Sequence, residues 1–315
     1  MTIYRNRTLG FAACAVACSL WGCGFFFGKI ALTELNVGAM ILYRFLFATL
    51  ALVPLLLHRP RVHRADWGLL LLTSFLGIPL QFLIQFTGLA RTTVSHASLM
   101  VGTLPVLLGV GAALFAHERM DRTGWFALTL STLGATLIAL GAGARHASSP
   151  AGPTIAGDLL VVFSMLIALA WTLLTKRLLA RNSPLAVTAY GVAAGTAMLL
   201  VLVPLIYRQP FGPQAFGPHF FTQISLKVWL ALGASGLLCT ASTTLLWSWG
   251  LTLVPASQAG VLCNLEPLVG SLLGVFLLGE SLGPSARTGG VMILVASIII
   301  TTLSRTSRRE PLPLT

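Results

Sequence analysis

Residues 250–280 read GLTLVPASQAGVLCNLEPLVGSLLGVFLLGE, and residues 88–118 read GLARTTVSHASLMVGTLPVLLGVGAALFAHE. At an offset of 162, Gly88 falls on Gly250, Leu89 on Leu251, Ser95 on Ser257, Ala97 on Ala259, Pro105 on Pro267 and Glu118 on Glu280. The register runs back without a gap to Trp67 and Trp229. An offset of 147 lays Asn36, Ala39 and Tyr43 on Ser183, Ala186 and Tyr190, and Trp21 and Trp171 hold similar places. One unit is therefore used twice, with the join near residues 143–156 (GARHASSPAGPTIA).

The units are made of apolar runs. Of 315 residues, 56% are hydrophobic and 9% charged, against about 25% charged in a soluble domain. Such a chain cannot hide its apolar surface from water and is expected to be an all-α integral membrane protein. Breaks at charge, Gly and Pro divide it into ten candidate spans: 9–31, 38–57, 67–87, 93–115, 124–142, 157–176, 184–206, 228–250, 256–278 and 287–304. Each is near the roughly 20 residues that a spanning helix needs. The first is long enough to be a retained helix rather than a signal peptide. Five helices per unit is an odd number, so the second unit enters the membrane upside down. The expected architecture is two inverted five-helix repeats around a central cavity, over 1–145 and 155–305, followed by a basic tail at 306–315.

The net charge of +12 does not point to nucleic acid, because the basic residues form short clusters between apolar runs. With the N-terminus inside, thirteen Lys and Arg fall on the inner side and six on the outer, with Arg44 inside the second span. Both termini are expected in the cytoplasm. The five cysteines lie in apolar runs without metal-ligand spacing and read as packing residues. There is no H-E-x-x-H, G-x-S-x-G or Walker sequence, so neither an enzyme nor an ATP-driven pump is expected, and no cofactor or metal.

Inverted repeats place a solute site near the bilayer midplane between the halves. On the third span, Ser74, Gln81 and Gln85 share a face, and amides on one stripe are unsuited to lipid. They either line the cavity or bond neighbouring helices. The repeat carries Gln81 and Gln85 onto Thr243 and Trp247, so these are expected to face inward and Trp249 outward. His96, Met100 and Thr103 share a stripe on the fourth span, and Gln258 on the ninth matches His96. Trp21 and Trp171 complete the expected substrate-binding set. Pro105 and Pro267, mid-span at one repeat position, are candidate hinges.

Glu266 is the one acid expected in mid-span, and its repeat mate is Leu104. A carboxylate there must be neutralised, paired or hydrated. Three roles are open to it: binding a substrate amine or cation, exchanging a proton in coupling (a role also open to His96), or a structural bond beside Pro267. Arg44 has the same range, as partner of an acid or of a substrate carboxylate, or as a structural residue.

SLWGCGFFFGK (19–29), YRFLFATLAL (43–52) and the two stretches quoted at the outset resemble the drug/metabolite transporter superfamily of EamA type over essentially the whole chain. Within it the chain is similar to the YddG-type bacterial exporters of aromatic amino acids and drugs. One departure is that Lys176 follows Trp171 by five residues where Lys29 follows Trp21 by eight. The resemblance implies a bacterial inner-membrane exporter of amino acids or related metabolites. Its expected partners are a small-molecule substrate and membrane lipid, and a monomer holding both halves suffices. The alternative is a multidrug exporter of aromatic or quaternary cations, held by Glu266 and tryptophan faces.

Overall fold

A computed structural model describes residues 2–58, 60–91, 100–115, 120–143, 155–207, 224–278 and 284–303, and among these every regular element is helical. His96, Glu118, Glu280 and the tail 306–315 lie outside the described residues. In chain order the helices are α1 (Thr2–Ala31), α2 (Val37–Leu57), α3 (Arg64–Leu89), α4 (Leu104–Phe115), α5 (Arg122–Gly143) and α6 (Ile155–Leu179). They continue with α7 (Pro184–Tyr207), α8 (Leu226–Leu253), α9 (Ala256–Leu262), α10 (Leu265–Leu278) and α11 (Pro284–Thr302). Among the described residues six segments are long and apolar enough to cross a membrane: Asn6–Gly28 of α1, and α2, α3, α6, α7 and α8.

The repeat is visible in how the helices begin, bend and break. Asn36 caps α2, its side chain accepting from the Ala39 N–H at 2.9 Å, and Ser183 accepts from the Ala186 N–H at 3.2 Å ahead of α7. Both supply an acceptor to an otherwise orphaned donor of the first turn. In α3 the ladder widens to a π-turn over Leu76–Leu80, where Pro79 withdraws an N–H; in α8 it widens over Leu237–Ser242. There, without a proline, the Thr240 and Ser242 hydroxyls reach back five residues to the Ser235 and Leu237 carbonyls, each at 3.0 Å. The two π-turns coincide at the 162-residue offset.

The span expected over 256–278 is not one helix. It breaks at Cys263 and Asn264, and residues 102 and 103 form the corresponding turn ahead of α4. A proline ring clashes with the carbonyl four residues back. For Pro267 that residue is Cys263, and for Pro105 it is Val101. Each proline then sits in the first turn of a new helix, where no N–H is needed.

Packing crosses between the halves in matched pairs. α1 packs on the C-terminal part of α8 and on α10; α6 packs on the C-terminal part of α3 and on α4. α2 lies against α7, and α5 against α11. The aromatic contacts match too: Tyr43 meets Trp229 and Trp67 meets Tyr190, both with centroids 5.3 Å apart. Outward faces carry exposed large apolar residues such as Leu114, Phe163, Leu205, Leu230 and Ile298. That suits lipid, not water.

Both ends of the bundle are tied across the halves. At one end Glu34, after α1, accepts from the Ser225 hydroxyl at 2.7 Å and the Ser225 N–H at 2.8 Å. At the other, Asn182, after α6, accepts from the His63 N–H at 3.0 Å and donates to Asp66 Oδ2 at 2.8 Å. The 21 residues of α2 separate these ends by about 32 Å. The Ser225 hydroxyl, then its N–H, hold the Glu34 carboxyl below its ordinary value of 4.5 by favouring the charged form.

Candidate functional site

Where the halves meet, a cavity of about 1100 Å³, open solvent at its mouth included, is lined from α1, α2, α3, α4, α6, α7, α8 and α10; among the described residues α5 and α11 contribute nothing to it.

Its α1–α8 side begins with Trp21 and Trp247, whose rings are 5.3 Å apart. Trp247 is 1% exposed, whereas Trp249 is 39% exposed. The inward and outward tryptophans of α8 are thus those that helical periodicity indicates. Among the described residues the Trp247 Nε1 and Ser248 Oγ atoms of this wall, and the Thr175 Oγ1 atom of α6, are buried without a hydrogen-bond partner.

Arg44 is buried in the same wall, 3% exposed. Its Nε donates to Thr240 Oγ1 at 2.7 Å and its Nη2 to the Cys239 carbonyl at 3.0 Å. Both acceptors lie in the α8 π-turn, where the ladder has been loosened. The guanidinium also stands 5.1 Å from the Phe82 ring centroid, a distance suited to cation–π attraction. These acceptors are neutral, so the positive charge is solvated but not cancelled. Glu266 faces the same cavity. Its side chain makes no hydrogen bond or salt bridge among the described residues, and the charge acting on it is that of Arg44. α1 approaches both groups through glycines. A Cβ on Gly22 would stand 2.5 Å from the Glu266 carbonyl oxygen, and one on Gly24 3.4 Å from Arg44 Nη2.

Across the cavity, Trp171 lies on the α3 π-turn: a Cβ on Gly77 would come within 2.5 Å of its Nε1. Gln81 and Gln85 line this side, with Phe82 and Phe86 stacked at 6.2 Å and Val101, Leu104 and Met165 beyond.

Of the residues singled out from the sequence, Trp21, Gln81, Gln85, Trp171, Trp247 and Glu266 meet in this cavity. Thr243 does not line it: its hydroxyl donates to the Thr240 carbonyl at 3.0 Å, and Thr244 takes the lining position. Gln258 is fully buried elsewhere and accepts from Arg7 Nη2 at 2.9 Å. Met100 packs with Val101, Val161 and Met165. Pro105 and Pro267 sit at the helix breaks rather than in the lining. The docking of Arg44 on Cys239 and Thr240 was not foreseeable from spacing, since the acceptors lie 195 and 196 residues away. Among the described residues no cluster of His, Cys, Asp and Glu could hold a metal ion.

The chain is 25% identical to a probable terminal-alkyne amino-acid exporter of Streptantibioticus cattleyicolor, over 92% of each chain. It is 25% identical to an uncharacterized transporter of Archaeoglobus fulgidus, over 91% of this chain and 95% of the other. It is 26% identical to the inner membrane protein YtfF of Escherichia coli, over 89% and 91%. One solved crystal structure matches with a TM-score of 0.76 over 93% of this chain and 96% of its own; at 18% identity the likeness concerns the fold. The sequence profile of the EamA-like transporter family matches twice, at residues 8–140 and 155–302. With helices apolar enough to cross a membrane and the family's pattern present in both halves, the chain belongs to the EamA-like transporter family.

Proposed function

We propose that this transporter exports small amphipathic metabolites, amino acids first, by alternating access of a cavity at the bilayer midplane. The observation that carries the reading is the cavity itself, enclosed between the halves and lined by three tryptophans, two glutamines and hydroxyls. Aromatic faces suit an apolar side chain, and the polar groups suit an α-amino acid head. The relative described as a probable amino-acid exporter supports the same substrate class.

The architecture that goes with this function is ten spans in two inverted five-helix repeats, residues 1–145 and 155–305, with both termini cytoplasmic in a bacterial inner membrane. The exchange of packing partners between halves and the coincident π-turns support it. In this scheme the Glu34–Ser225 contact closes the outer side and the Asn182 contacts close the inner side. Rocking of the halves breaks one while keeping the other. One chain holds the whole pathway, so a monomer suffices. Glu266 is the group for proton coupling, with His96 as a second candidate, and the breaks before Pro105 and Pro267 are the places to flex.

A second reading, export of aromatic or quaternary cations, is favoured by one observation: among the described residues the Glu266 carboxylate has no hydrogen-bond partner, and it faces a tryptophan-lined cavity. Reconstitution in liposomes separates the two. Labelled aromatic and aliphatic amino acids and a quaternary ammonium dye are followed with and without a pH gradient. Saturable amino-acid flux is the expected result. Flux of the dye alone transfers the function to the second reading, and no flux of either removes both.

A further inference from the structure

The repeat supplies an internal control for the cavity's chemistry. At the 147-residue offset Arg44 falls on Gly191, and at 162 Glu266 falls on Leu104; all four residues line the cavity. The scaffold needs neither charge, since the opposite half does without both. The result is a cavity with one flank that carries both charges and an uncharged flank that ends in an apolar group beyond Gln81 and Gln85. On the charged flank Arg44 is anchored through Nε and Nη2 to neutral oxygens, and no hydrogen bond engages its Nη1 among the described residues. Among the described residues Glu266 has no side-chain hydrogen-bond partner, and the two groups do not form a salt bridge with each other. On the uncharged flank Leu104 stands with Val101, Met165 and Phe86.

We infer that Arg44 and Glu266 form a split-charge clamp for a zwitterion, Arg44 taking the carboxylate and Glu266 the ammonium, with the ligand's side chain laid toward Leu104, Val101 and Met165. This rests on the amino-acid reading above and deepens it by assigning each pole of the ligand to a residue. Two opposite charges in a low-dielectric wall that form no salt bridge with each other each keep a charge that no partner cancels at contact. A ligand carrying the complementary pair satisfies both at once. A ligand carrying one charge leaves the other group unpaired, and leaving a buried polar group unpaired discriminates more strongly than adding an apolar contact. The clamp therefore selects net-neutral zwitterions over amines and over carboxylates of the same shape. The Phe82 ring, 5.1 Å from the guanidinium, is a further contact for it.

The test is equilibrium binding to the purified full chain in nanodiscs, read by calorimetry, with three ligands of one shape: phenylalanine, phenylalanine amide (no carboxylate) and 3-phenylpropionate (no ammonium). The wild type should bind phenylalanine at least about tenfold more tightly than either analogue. Glu266→Gln should erase the preference over 3-phenylpropionate while retaining that over the amide. Arg44→Gln should do the reverse. Because Arg44 also ties α2 to α8, the ligand series on wild type and Glu266→Gln decides the matter even where Arg44→Gln does not fold. If the wild type binds all three ligands alike, or Glu266→Gln weakens all three alike, the clamp is overturned and the amino-acid reading stands. If neither phenylalanine nor leucine binds the wild type at all, the clamp and that reading fall together.

Discussion

The two ends of the bundle are tied at equivalent places with different chemistry. In each, a side chain at the end of the first helix of one half accepts the N–H of a residue just ahead of the third helix of the other. Ser225 and His63, the two donors, coincide at the 162-residue offset. The acceptor is a carboxylate at one end and an amide at the other. Glu34 is exposed, and its side-chain hydrogen bonds among the described residues are both from Ser225. Asn182 is 6% exposed and is woven into a larger set: His63 N–H, Asp66 and the Leu178 carbonyl of its own helix. The repeat has kept the backbone donor, which no mutation can remove short of proline, and has varied its partner. A buried amide loses more when broken than an exposed carboxylate that water can solvate. The Glu34 tie should therefore be the easier to open.

Backbone hydrogen exchange at Ser225 and His63 reads the two ties separately. The largest effect is expected from Asn182→Asp, which sets a second carboxylate against Asp66 where an N–H now donates. The like charges repel, and exchange at His63 should rise by about ten- to a hundredfold, the equivalent of losing about 1.4 to 2.8 kcal/mol. Ser225 should not change. Asn182→Ala should act at the same place but more weakly, about tenfold, because it removes the acceptor without adding repulsion. An equal response at both reporters would mean that the ties do not act as separate closures. Glu34→Ala should raise exchange at Ser225 by only roughly twofold to fivefold, as expected for an exposed contact that salt and water screen. A larger effect there than from Asn182→Ala would reverse the proposed order.

The smallest effect is a response to acid. The Glu34 carboxyl titrates below its ordinary value because its charged form is bound by Ser225. The tie is accordingly at full strength above 4.5 and is lost as pH falls through the lowered value. After correction for the pH dependence of exchange itself, protection at Ser225 should fall in that acidic window. The Asn182 amide that accepts from His63 has no proton to gain. Loss of Ser225 protection at a pH above 4.5 would assign the response to some other group.

The cavity repeats the same lesson at its centre. A tryptophan facing inward, Trp247, and one facing outward, Trp249, could be told apart by counting residues around a helix. Gln81 and Gln85 on one stripe were readable for the same reason. Thr243 was not: carried across from Gln81 by the repeat, it sits directly after the π-turn at Leu237–Ser242, its hydroxyl turns to the Thr240 carbonyl, and Thr244 takes the lining position. That turn has no proline to announce it. The proline rule did reach the helix breaks, but in the form of a new helix start rather than a bend.

By itself, the sequence determined the membrane class, the double use of one unit and the presence of a carboxylate where the repeat does not require one. These follow from composition and from residue spacing, which local physics makes regular. Only the tertiary structure decided that Arg44 docks on the α8 π-turn, that it shares a cavity with Glu266 without a hydrogen bond to it among the described residues, and that Asn182 rather than a carboxylate ties one end of the bundle. Each of these depends on partners more than a hundred residues apart. Their meeting is set by how helices from the two halves pack, and no spacing along the chain encodes that distance.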